Sequence, residues 1–147
     1  MKVAESAQRP RLLLDTHVLV WLILGEAGLG AKARAAIRVA ARQDGFLVAA
    51  ITTWEIAMLV SKKRIELDRD VMDWVRDALA TPGLTLVPLE PEIAVASTRL
   101  PFSMHADPAD RMLVATARQL GATLVTADKA LLGAAGKGHF RAVDAGK

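Results

Sequence analysis

The sequence predicts an α/β protein, a three-layer α/β/α sandwich around a central, mostly parallel sheet of four to five strands. Three observations predict it. Short apolar runs alternate with longer helical patterns along the chain. The runs are almost continuously apolar, as expected of parallel strands covered on both faces. Helix-start and helix-stop residues fall between them in the right places.

The expected strands are 11–14, 46–49, 84–87, 122–125 and, with a weaker pattern, 140–143. Between and after them the expected helices are 16–24, 31–43, 53–61, 71–80, 91–99, 108–120 and 129–132. Thr16, Thr52, Asp70, Glu90 and Asp107 stand at N-cap positions, because a short polar side chain there can accept from an orphan helix N–H. Pro91 and Pro108 occupy first-turn positions, where the missing N–H costs nothing, and Gly121 ends the long helix. Right-handed crossovers then place helices on both faces of the sheet.

A length of 147 residues fits one domain, large enough to bury a core without disulfides or structural metals. The first nine residues, MKVAESAQR, have no apolar period and precede Pro10. We therefore expect a flexible N-terminal tail over 1–10 and a single domain over 11–147. There is no cysteine, which excludes thiolate zinc sites, cysteine nucleophiles and disulfide scaffolds, and fits a reducing cytoplasm. Any metal must be held by oxygen or imidazole.

The mean hydropathy is +0.28, and the most apolar stretch, 12–24, invites a membrane reading. Asp15 and His17 interrupt it, however, and a transmembrane helix needs roughly 20 apolar residues in a row. Lys2, Arg9 and Arg11 resemble the basic flank of a signal peptide, but an acid is foreign to its apolar region. The expectation is a cytoplasmic protein with no membrane segment. A net charge of +3 permits an anionic partner without demanding one.

In an open parallel sheet the ligand site lies beyond the carboxyl ends of the strands. Asp15 ends the first strand, directly after Leu12-Leu13-Leu14, and Asp128 follows the fourth through Val125-Thr126-Ala127. Glu55 and Asp110 are expected in the first turns of the helices at 53 and 108. Four acids near one rim suit a hard cation such as Mg²⁺ or Mn²⁺, which takes carboxylates, water and phosphate oxygens. Without metal, each close pair of negative charges costs on the order of a few kcal/mol at an intermediate dielectric. Helix N-termini beneath Glu55 and Asp110 would soften that repulsion.

Each acid also has a structural reading. Thr52 with Glu55 matches a capping box, Asp107-Pro-Ala-Asp110 looks like a cap with an acid three residues on, and Asp128 can cap a helix starting at Lys129. Asp15 resists such a reading best, because an acid inside LLLDTHVLVWLIL is costly to bury unless paired or metal-bound. Asp107 reads first as a cap, with a route to metal through water. Capping and ligation do not exclude each other.

The joint arrangement carries more. LLLDTHVLVW, AITTWEIAMLV, HADPADRMLVATA and TLVTAD resemble, in order, the successive motifs of PIN-domain ribonucleases, particularly VapC-type toxins. The resemblance runs from about Arg11 to Val143; the departure from the family is the segment before Arg11. It implies a PIN-like fold in which Asp15, Glu55, Asp110 and Asp128 are catalytic, metal-binding acids, with Thr16 and Thr126 lining the site beside Asp107. It also implies Mg²⁺- or Mn²⁺-dependent endonucleolytic cleavage of RNA by activated water, leaving a 5′-phosphate and a 3′-hydroxyl. The implied partners are the RNA substrate, a cognate VapB-type antitoxin and a second copy of the chain. By the same likeness, apolar faces around Val18 to Leu24 and Trp54 to Val60, which exceed what one small core buries, would dimerise and hold the antitoxin.

The remaining polar residues are less specific. His17, His105 and His139 lack zinc-site spacing and read as local structure, with His105 the best placed to approach a phosphate. Lys62, Lys63 and Arg64 follow the Glu55 helix and could meet RNA phosphates, although a charged helix end also suits the dipole. Arg34, Arg38 and Arg42 form a stripe that reads as solvated, and Trp21, Trp54 and Trp74 read as core or interface. Two rival functions stay open: a non-catalytic binding module on the same fold, and a phosphohydrolase for small phosphoesters. An aspartyl-phosphate enzyme would want a second acid two residues beyond Asp15, where His17 stands.

Overall fold

A computed structural model describes residues 10–147; of the expected tail, all but Pro10 lies outside the described residues. The chain runs β1 (Leu12–Leu14), α1 (Thr16–Leu24), α2 (Ala31–Ala41), β2 (Phe46–Ala49), α3 (Ala50–Ser61), α4 (Val71–Leu79) and β3 (Leu84–Val87). It continues through α5 (Pro91–Thr98), α6 (Pro108–Leu120), β4 (Thr123–Thr126), α7 (Lys129–Gly136) and β5 (Arg141–Asp144). The strands form one sheet in the order β3-β2-β1-β4-β5. Every pairing is parallel, so the sheet expected as mostly parallel is wholly so.

Strand periodicity divides the core. Leu14, Val48 and Val125 stand in register and face one layer, where they pack with Val18, Ile37, Ile56 and Trp74. Leu13, Leu47 and Leu124 face the other, against Leu113 and Val114 of α6 and Leu131 of α7. Because successive strand side chains point to opposite faces, a strand covered on both must be apolar at every position. Each such side chain contributes roughly 2 kcal/mol by leaving water.

The apolar run 12–24 divides at Asp15, three residues serving as strand and nine as helix. Among the described residues no helix is long and apolar enough to cross a membrane. Val18, Leu19 and Val20 are buried, while Leu24 and Trp54 remain exposed, Trp54 at 55%. The apolar surplus expected on the two helices is thus reduced to a few side chains. Trp74 is a core residue and Trp21 packs at its edge, so the three tryptophans have different environments.

The expected helix ends need correction at several points, the smallest being α4 and α5, which end at Leu79 and Thr98, one residue early. Asp15, not Thr16, is the N-cap of α1, because its carboxylate accepts from the Thr16 N–H. Helix α3 starts at Ala50, straight from β2 with Ala49 as cap, so Thr52 caps nothing and no capping box with Glu55 forms. Glu55 consequently lies in the second turn, beyond the strong reach of the helix dipole. Helix α7 runs to Gly136 rather than 132, and α2 ends at Ala41 rather than 43. Gly121 does end α6, in the left-handed conformation at φ 61° that a side chain would strain.

Candidate metal centre

The strand order reverses between β1 and β4, which opens a crevice at their carboxyl ends. Asp15 leaves β1 at that point. Its N–H donates to the Val125 carbonyl at 3.0 Å, extending the β1–β4 ladder by one residue. Its half-buried carboxylate accepts from the Thr16 N–H and from the Thr126 hydroxyl, both at 2.7 Å. Burial raises the Asp15 pKa above the usual carboxylate range; Thr126, Thr16 and the charge of His17 pull it back, and Asp128 pushes it up.

Thr126 ties the two strand ends together. While donating to Asp15, its buried hydroxyl accepts from the Asp128 N–H at 3.0 Å. Asp128 is exposed and caps α7, accepting from the Ala130 and Leu131 N–H groups at 2.8 and 3.1 Å. The capping reading of Asp128 is therefore realised, within the electrostatic reach of Asp15.

Glu55 is brought in from α3 by Thr16, whose buried hydroxyl donates to Oε1 at 2.5 Å. The Thr52 hydroxyl lies 3.3 Å from that of Thr16 and is fully buried. The sequence suggested a cap at Thr52; instead it closes a Thr52-Thr16-Glu55 chain of hydrogen bonds. The signal for that role was the i, i+3 spacing on one helix face, which a capping box shares. Burial raises the Glu55 pKa, Thr16 lowers it, and Asp15 and Asp107 raise it further.

Asp110 occupies the first turn of α6, where Asp107 caps by accepting its N–H at 3.1 Å. Its side chain is 15% exposed and lies 3.3 Å from Nε2 of His105. Burial first, then the charges of Asp107, Asp15, Glu55 and Asp128, push the Asp110 pKa from 3.8 to about 7. The four acids and Asp107 therefore converge, since each acts on one carboxyl. Lys62, Lys63 and Arg64 are not brought in: they lie exposed past the end of α3 and pair with none of these acids.

Among the described residues, no group of three or more Asp, Glu or His side chains is arranged to hold a metal ion as it stands. Each carboxylate lies beside a protein donor: a hydroxyl and an N–H for Asp15, a hydroxyl for Glu55, the His105 imidazole for Asp110 and N–H groups for Asp128. No Lys or Arg side chain among the described residues pairs with Asp15, Glu55, Asp110 or Asp128. An oxygen-only set of mutually repelling carboxylates fits a hard divalent cation, which neutralises several at once and requires no sulfur or paired imidazole.

A parallel sheet with such a cluster at its switch point is the class that fold and site define. The chain belongs to the PIN domain family, whose sequence profile matches residues 12–137. It is 37% identical over 123 residues to Ribonuclease VapC22 of Mycobacterium tuberculosis, covering 82% of this chain and 88% of that protein. VapBC2 from Rickettsia felis, solved bound to a DNA fragment from its promoter, matches with TM-score 0.65 at 13% identity over 90% of this chain and 97% of that one. A toxin-antitoxin complex from Klebsiella pneumoniae matches with TM-score 0.58 at 22% identity, over 90% and 95%. At these identities the solved structures establish the fold.

Proposed function

We propose that this chain is a divalent-metal-dependent endoribonuclease of the VapC type, the toxin of a toxin-antitoxin pair. The observation that carries the reading is the convergence of Asp15, Glu55, Asp107 and Asp128 on Asp110 with no Lys or Arg among the described residues paired to them. The 37% identity to a ribonuclease supports it, as does the divalent-metal dependence general among VapC ribonucleases.

In this reading Asp15, Glu55, Asp110 and Asp128 hold Mg²⁺ or Mn²⁺. The ion, when bound, supplies Lewis acidity toward water and phosphate. The protein's own part is positioning. Thr126 and the Thr16 N–H hold both oxygens of Asp15, so this carboxylate is pre-aimed between β1 and β4. Thr16 and Thr52 set Glu55, and Asp107 fixes the first turn from which Asp110 projects. His105, beside Asp110, can donate to a phosphate oxygen of the substrate. Lys62, Lys63 and Arg64 stay exposed for more distant backbone contact.

Relatives of the same fold were solved as toxin-antitoxin complexes. We read the cognate partner here as a VapB-type antitoxin and the assembly as a homodimer, with Leu24 and Trp54 among the side chains awaiting cover. The absence of cysteine suits a reducing cytoplasm.

The test is cleavage of structured and unstructured RNAs by purified protein with Mg²⁺, Mn²⁺ or EDTA. Metal-dependent cutting that disappears in Asp15→Asn and Asp110→Asn, each with an intact fold by circular dichroism, is the expected result. A fully active Asp110→Asn protein sinks the reading.

A further inference from the structure

From the flank of α7 we infer that a single-stranded RNA segment next to the cleaved bond is held along a basic track from the acidic centre to the opposite end of the sheet. The inference rests on the ribonuclease reading and adds to it a second site on the same substrate.

Two concavities form the track. One, of about 300 Å³, begins at His105, the partner of Asp110, and at Lys129, next to Asp128; it runs beside Ala130 and Ala134 to Lys137 and His139. The other, of about 820 Å³, continues from His139 between α6, α7 and β5, and contains Arg118 and Arg141. They share His139. Helix α7 has eight residues, so the first stretch is roughly 12 Å long, enough for more than one nucleotide.

Charge selects the occupant. Among the described residues no Asp or Glu lines either concavity. Among the described residues, Lys129, Lys137, Arg118 and Arg141 have no carboxylate partner. Arg118 donates to the His139 carbonyl and Arg141 to the Gly121 carbonyl, so both guanidiniums are held in place while their charge stays uncompensated. Fixed cations along a groove favour a chain of phosphates, which binds by releasing counterions. An acidic peptide would meet the same charges, but the track begins at His105 beside Asp110, where the ribonuclease reading puts the cleaved phosphate, so a continuous RNA strand serves both.

The junction is aromatic. The His139 ring stacks on Phe102 at 4.1 Å and 7°, and Arg118 lies 5.4 Å from the centre of the same Phe102 ring. Phe102 lines neither concavity but braces His139 and Arg118, and His139, which lines both, is the flat ring of the junction among these cations. A ring beside a charged backbone track is what single-strand binding grooves use to stack a base.

The test uses Lys137→Glu with Arg141→Gln, and separately Lys129→Gln with Lys137→Gln. The lysines are exposed and make no hydrogen bond through their side chains among the described residues, so the second pair preserves the fold. Binding of a 12-nucleotide single-stranded RNA is measured in EDTA by fluorescence anisotropy across salt concentrations. Cleavage of the same RNA and of a trinucleotide is measured with Mg²⁺. The expected result is a tenfold or greater loss of affinity for the 12-mer, a shallower salt dependence, and a rise in KM for the 12-mer with trinucleotide cleavage unchanged.

Unchanged 12-mer affinity and salt slope in both variants overturn the track, whatever the cleavage result. Equal losses on the 12-mer and the trinucleotide also overturn it, because the residues then act at the centre itself. Loss of antitoxin binding with RNA binding intact would make the surface a protein-docking face, again against the proposal. If the parent protein cleaves no RNA at all, the ribonuclease reading fails, and the EDTA binding measurement still judges the track.

Discussion

The carboxyl-end rim and the α7 flank are both strongly charged, yet they handle charge in opposite ways. At the rim, carboxylates crowd one another, and Asp110 is pushed to about 7 by burial first and then by the charges of four other acids. On the flank, cations are spread along a groove and either exposed or anchored on backbone carbonyls. Concentrated charge of one sign costs folding energy and is relieved by a compact counter-ion. Spread charge costs little and suits an extended partner. In the proposed reading the difference separates chemistry at the rim from grip on the flank.

The sharpest way to break the comparison is to neutralise each region in turn. If Asp15 and Asp110 are metal ligands as proposed, Asp15→Asn or Asp110→Asn should lower metal-dependent cleavage by at least about a hundredfold, the equivalent of several kcal/mol of lost charge stabilisation. The flank variants should lose about tenfold, and only on long RNA. A flank variant as inactive as Asp110→Asn would erase the distinction.

Stability should move the other way. Asp110 has a folded pKa of about 7 against an ordinary 3.8, so the metal-free native state holds its proton more tightly than the unfolded chain does. Its penalty is absent below about pH 4 and complete above about pH 7. Metal-free stability should therefore fall as pH rises through that window, by on the order of 4 kcal/mol at most from this residue. Asp110→Asn should flatten the dependence and raise metal-free stability at pH 8, read from urea midpoints. A wild-type midpoint that rises steadily from pH 5 to pH 8 contradicts the crowding.

Metal should offset the same repulsion. Millimolar Mg²⁺ or Mn²⁺, bound by the native state alone, should raise Tm by roughly 2–8 °C, and Asp110→Asn should abolish most of the rise. The smallest effect belongs to the flank. Lys129→Gln with Lys137→Gln should alter stability by less than about 0.5 kcal/mol, since neither lysine contacts a structural partner.

Much of this was legible in the sequence. The strands at 46–49 and 84–87 coincide with β2 and β3, because apolar continuity is a local property that a two-sided burial requires. Asp15 stood out for the same reason, as an acid where only apolar residues belong. The helix starts were less legible. Thr52 and Glu55 have capping-box spacing, but a chain leaving β2 without a loop begins its helix three residues earlier than the box expects.

What sequence alone determined is therefore which segments are strands and helices and which acids lie near strand ends, since periodicity and burial are written along the chain. Only the tertiary structure decided that Thr16 and Thr52 grip Glu55, that Asp110 collects four like charges, and that Lys129 and Lys137 line one concavity and Arg118 and Arg141 the next, with His139 common to both. Those relations join residues from different helices and strands, and electrostatic energy depends on distance through space rather than along the chain.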